Sequence, residues 1–122
     1  MKRSVIVIGA IFFAACGGKS AGYYAPQTGG DADRGRELIR AYGCGACHTI
    51  PGVRGAAGVV APPLTLFARR TFIAGEVPNT PENLVHWIRM PESIEPKTAM
   101  PNLGVTEQQA RDIAAFLYET EE

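Results

Sequence analysis

The sequence predicts an all-α domain of short helices joined by loops. Apolar residues recur at helical spacing in separate short segments, each opened by a capping signal. Gly-, Ala- and Pro-rich stretches, drawn from 14 Gly and 9 Pro, fall between those segments. No alternating apolar run argues for a sheet.

The first helix spans about residues 31 to 42. Asp31 can cap it, and Asp33 and Glu37 suit its N-terminal half. Leu38, Ile39 and Tyr42 form its apolar face and lead into Gly43. Residues 51 to 63 read as loop, and 64 to 70 as a short helix. Thr80-Pro81-Glu82 opens a further helix with a cap and a proline at the first helical position. Leu84, Trp87 and Ile88 share its face, and Pro91 stops it. The last helix opens with a capping box, Thr106 to Gln109. Ala110, Ile113, Ala114 and Leu117 follow as a buried stripe.

Between the first two helices lies Cys44-Gly45-Ala46-Cys47-His48, the pattern for covalent attachment of a c-type haem. Two thiols must reach two vinyl groups on one edge of the macrocycle. Two intervening residues, roughly half a helical turn, set that span. His48 is then delivered beneath the iron as an axial ligand. Gly45 and Ala46 let the backbone lie close to the ring. The rival readings are a redox dithiol and half a zinc site. With three Cys and two His in the chain, no second ligand pair stands at zinc spacing. No βαβ pattern surrounds the dithiol.

Met1-Lys2-Arg3 is a basic start, and residues 5 to 13 are apolar apart from Gly9. Such a stretch is short of the roughly 20 residues that span a bilayer and reads as a secretion signal. Ala14-Ala15-Cys16 resembles a bacterial lipobox, with Phe13 where the pattern prefers Leu. Cleavage before Cys16 would leave a lipidated first residue. An ordinary cleavage site and an uncleaved anchor are the alternatives. The expected organisation is a signal peptide over 1–15, a lipidated Cys16 and flexible tether over 16–30, and one domain over 31–122. Cys16 then carries lipid and Cys44 and Cys47 carry haem, so no thiol is left for a disulfide.

Removing the 15-residue signal from 122 leaves 107 residues, enough for one small domain. Two of the 12 basic side chains and none of the 12 acidic ones lie in the signal, so the remainder carries ten against twelve. No basic stripe points to nucleic acid.

A closed iron needs a second axial ligand. Met100 lies in Lys97-Thr98-Ala99-Met100-Pro101, a loop stiffened by Pro96 and Pro101. A thioether favours reduced iron, so His/Met ligation raises the potential. Met90, at a helix end, reads as packing, and His86 as a surface or polar-contact histidine.

The order of Cys44-x-x-Cys47-His48, Pro62-Pro63-Leu64, Met100-Pro101 and a capped helix ending in Phe116-Leu117-Tyr118 resembles a class I cytochrome c. The run Asn79 to Leu84, Trp87-Ile88, Pro91 and Met100-Pro101 is similar to the cytochrome c domain fused to the copper subunit of some bacterial haem–copper oxidases. The similarity covers roughly residues 31 to 120. No copper-binding segment precedes the haem motif, so the expected form is the cytochrome module alone on a lipid tether.

The resemblance implies a class I cytochrome c fold, short helices and loops around one covalent haem. It implies that Gly35 permits close packing on the last helix near Phe116 and Tyr118. Pro63 would lie beside His48, and its preceding loop would supply a carbonyl to the imidazole. Arg70 and Trp87 are candidates for propionate hydrogen bonds. A solvated arginine and plain core packing are their respective alternatives. Asn79 is a further candidate near the propionates.

The expected function is one-electron transfer on the outer side of the cytoplasmic membrane, the periplasmic face in a Gram-negative cell. The expected partners are redox proteins, with a quinol-oxidising complex or dehydrogenase as donor and a terminal oxidase or reductase as acceptor. No small-molecule substrate and no enzymatic activity are expected. The rivals are a haem subunit of a larger oxidase or reductase, and an open-site haem enzyme or sensor acting on peroxide or nitrogen oxides.

Overall fold

A computed structural model describes residues 27–120. Cys16, the signal and most of the tether lie outside the described residues. Helix α1 spans Ala32–Ala41, α2 Pro81–Arg89, α3 Pro91–Ile94 and α4 Glu107–Glu119. Single 3-10 turns cover Cys44–Ala46 and Phe67–Arg69.

The caps are where the sequence places them. Asp31 accepts from the Arg34 N–H at the start of α1. Thr80 accepts from the Asn83 N–H, with Pro81 at the first position of α2. Thr106 and Gln109 form a reciprocal capping box on α4. The α2 helix stops at Arg89, and Pro91 then opens the short α3. A proline cannot continue a helix but suits the first position of the next.

The core is one cluster. Ile39 of α1, Leu84, Val85 and Ile88 of α2, and Ala110, Ile113, Ala114 and Leu117 of α4 are buried together. Phe67, Ile73 and Ile50 join them from the loops. Residues 64 to 70 form only one 3-10 turn rather than a helix. Leu66 sits at its start with φ +49, a left-handed conformation that no helix propagates.

A two-stranded hairpin, β1 Phe72–Ile73 and β2 Val77–Pro78, departs from the all-helical expectation. Ala74 and Gly75 turn it, both at positive φ, and the Glu76 N–H donates to the Ile73 carbonyl. Two consecutive positive φ values make a type I′ turn, for which Ala is a poor signal.

Residues 28–30, read from sequence as tether, are packed. Thr28 is buried, its hydroxyl donates to the Arg111 carbonyl, and Arg111 Nη1 donates to the Thr28 carbonyl. A Cβ on Gly30 would lie 2.1 Å from the Arg111 carbonyl oxygen. The packed unit therefore includes Thr28, which is pinned to α4 before α1 begins.

Candidate haem site

The Cys44–Ala46 turn follows α1 directly. Gly43 makes the bend at φ +71, and the His48 N–H donates to the Cys44 carbonyl. Both thiols are half-buried and unpaired. Burial pushes the Cys44 thiol up, and the neighbouring Cys47 adds to that. Redox-active dithiols show the opposite, depressed behaviour. Among the described residues no three His, Cys, Asp or Glu side chains cluster as a metal cage.

A second segment lies alongside the motif. The Gly58 N–H donates to the Gly45 carbonyl, the Ala61 N–H to the Cys47 carbonyl and the Leu64 N–H to the Thr49 carbonyl. Close approach explains the small residues. A Cβ on Gly45 would meet Ala56 Cα at 2.6 Å, and one on Gly58 would meet the Ala46 carbonyl oxygen at 2.5 Å.

This segment supplies the imidazole's partner. His48 Nδ1 lies 2.7 Å from the Pro62 carbonyl oxygen. A carbonyl only accepts, so Nδ1 carries the proton, and Nε2 of the neutral ring keeps its lone pair for a metal. The carbonyl comes from Pro62, in the loop before Pro63. Pro63 itself offers its carbonyl to the Arg70 guanidinium.

Arg70 Nη2 also reaches the Thr65 carbonyl at 3.4 Å, and the guanidinium lies over the Phe67 ring, 5.2 Å from its centroid. Arg70 thus braces the loop. Trp87 is half-buried against the core, and its indole N–H has no partner among the described residues. Asn79 is a loop hydrogen-bonder. Its Nδ2 donates to the Phe67 and Arg70 carbonyls, both at 3.0 Å, and its Oδ1 accepts from the Tyr118 hydroxyl at 2.7 Å.

Met100 lies in the 95–106 loop, partly buried, its N–H donating to Thr98 Oγ1. Met90 is 44% exposed at the α2–α3 junction. His86 is exposed, with Nε2 2.7 Å from Ser93 Oγ, and Ser93 itself donates to the Met90 carbonyl. Ser93 has spent its one proton there, so His86 Nε2 is the donor to Ser93.

The residues present fit a c-type haem. Two unpaired thiols stand at the required spacing, and the next histidine is oriented through Nδ1 with Nε2 free. A thioether is available from a proline-bounded loop. A short-helix domain around a Cys-x-x-Cys-His turn defines a haem-binding electron-transfer class.

The chain belongs to the cytochrome c family: the model of that family, described as "Cytochrome c", matches residues 32–121. It is 36% identical over 87 residues to cytochrome c oxidase subunit 2 of Alkalihalophilus pseudofirmus, covering 70% of this chain and 25% of that protein. It is 34% identical over 85 residues to cytochrome c oxidase subunit 2 of Bacillus subtilis, covering 65% of this chain and 24% of that protein. The matched region thus spans about a quarter of these relatives' length. No solved structure gives a significant match.

Sequence reasoning missed one polar centre. Asp112 of α4 is buried and accepts from Arg34 Nε and Nη2, both at 3.0 Å, from the Asp31 N–H at 2.8 Å and from Gln108. The Arg34 hydrogen bond, despite opposing burial, holds its carboxyl below the usual range. An acid beside the apolar Ala110–Ile113–Ala114 stripe was the available signal.

Proposed function

We propose that this chain is a one-electron carrier holding a single haem c, tethered to a membrane by lipid on Cys16. The observation that carries the reading is the Cys44–His48 turn, with His48 Nδ1 committed to the Pro62 carbonyl. Cys44 and Cys47 would form the thioethers to the haem vinyl groups. His48 Nε2 and the Met100 thioether are the groups that would hold the iron. The bound haem supplies a reversible one-electron change at iron. The protein's part would be to hold the iron with its own side chains, exclude reactive ligands and keep the imidazole in one orientation. Arg70 already serves the loop, which leaves Trp87 as the freer of the two propionate candidates.

Electron transfer between respiratory partners, from a quinol-oxidising complex or dehydrogenase to a terminal oxidase or reductase, suits this site. A lipid tether raises the effective concentration of the carrier at the membrane face. The relatives' name favours a second reading, a haem subunit within an oxidase complex. Copurification in mild detergent separates the two.

Spectra of wild type and Met100→Ala, matured with haem, test the assignment. The oxidised wild type is expected to show the weak red sulfur-to-iron band, and the variant to lose it and bind cyanide quickly. A band that survives in the variant moves the ligand to Met90. Rapid cyanide binding by wild type promotes an open-site enzyme or sensor. Mass analysis of the N-terminal peptide reads acylation of Cys16.

A further inference from the structure

Neither Pro62 nor Pro63 has an N–H, so their carbonyls are the only backbone hydrogen-bonding handles on that dipeptide. His48 takes the first and Arg70 the second. The flanking Ala61 and Leu64 N–H groups tie the segment's two ends to the Cys47 and Thr49 carbonyls, and between those ends the prolines are held through Arg70. Its guanidinium rests on Phe67. Its own carbonyl accepts from Asn79 Nδ2, which also takes the Phe67 carbonyl. Asn79 Oδ1 is taken by the Tyr118 hydroxyl, and Tyr118 is 3% exposed in α4. The Tyr118 ring packs against Phe67 at 6.0 Å between centroids. The hydrogen bonds each span seven or more residues, from Arg70–Pro63 to Tyr118–Asn79.

We propose that Tyr118, Asn79 and Arg70 are positioning residues that hold the Pro62 carbonyl in register with His48 Nδ1. The terminal helix thereby sets the orientation of the imidazole through five hydrogen bonds rather than by packing alone. The proposal rests on His48 being an axial ligand. Fixing the acceptor fixes the ring plane and the electron density on Nε2, because a metal-bound imidazole is tuned by the partner of its other nitrogen.

The test is hydrogen exchange of the His48 Nδ1–H by NMR in the reduced holoprotein, referenced to the Ala114 amide in the buried face of α4. The variants are Tyr118→Phe, which keeps the ring, and Arg70→Lys, which keeps the charge but not the planar fork. Loss of one such bond, typically worth about 1 kcal/mol, is expected to speed Nδ1–H exchange about fivefold with Ala114 unchanged. An unchanged Nδ1–H in both variants overturns the proposal. So does an increase that only tracks Ala114, which reports general loosening. A wild-type protein without a low-spin histidine-bound iron overturns the ligand assignment, and this proposal with it.

Discussion

The backbone carbonyl of Asp112 occupies the space that a Cβ on Gly35 would need. The oxygen would lie 2.0 Å from that Cβ, and Phe116 Cβ would lie at 3.0 Å. Backbone cannot swing aside as a long side chain can. Gly35→Ala therefore forces α1 and α4 apart along their whole contact. Overpacking of this kind costs about 1–3 kcal/mol, and the upper end is expected in urea titration of the holoprotein. A variant as stable as wild type would show that the helices separate freely.

The same crossing carries a pH dependence. Arg34 holds the Asp112 carboxyl below its ordinary value of 3.8. The folded-state value lies below the unfolded one. The stabilisation is fully present above about pH 4 and is lost as pH falls through the depressed folded value. Asp112→Asn is expected to cost about 1.5–3 kcal/mol near neutrality and to flatten the acid limb of the stability curve below about pH 4. An acid limb identical to wild type would place the titration elsewhere.

Gly45→Ala sets the motif's spare residue against Ala56, whose Cα and Cβ lie 2.6 Å from the added Cβ. The 56–61 segment must then lift from the turn, and Pro62 lifts with it. Intact-mass measurement is expected to show a smaller share of chain carrying covalent haem than in wild type. Equal loading would mean that attachment tolerates a displaced segment.

His86→Ala separates the two histidines. His86 is engaged with the exposed Ser93 of α3. Its loss is expected to leave the sulfur-to-iron band and the visible spectrum unchanged. A changed axial spectrum would argue for ligation by His86 in place of Met100.

Local signals made much of this protein readable. Asp31, Thr80-Pro81 and the Thr106–Gln109 box act over three residues, and each starts a helix as expected. Cys44, Cys47 and His48 lie within five residues, so the attachment turn needs no tertiary information. Gly35 was readable only through family resemblance, because its reason is a backbone on another helix.

Contacts distant in sequence were not readable. Thr28 looks like linker until the Arg111 backbone pairs with it. Asp112 looks like a surface acid until Arg34 and the Asp31 N–H close over it. Arg70 reads from sequence only as a propionate candidate, and its bonds to the Pro63 and Thr65 carbonyls appear once the loop is folded. The sequence by itself determined the helix starts, the apolar faces and the haem-attachment chemistry, because each is written in neighbouring residues. The tertiary structure alone decided which carbonyl orients His48 and which residues brace it, because those hydrogen bonds join chain segments that only packing brings together.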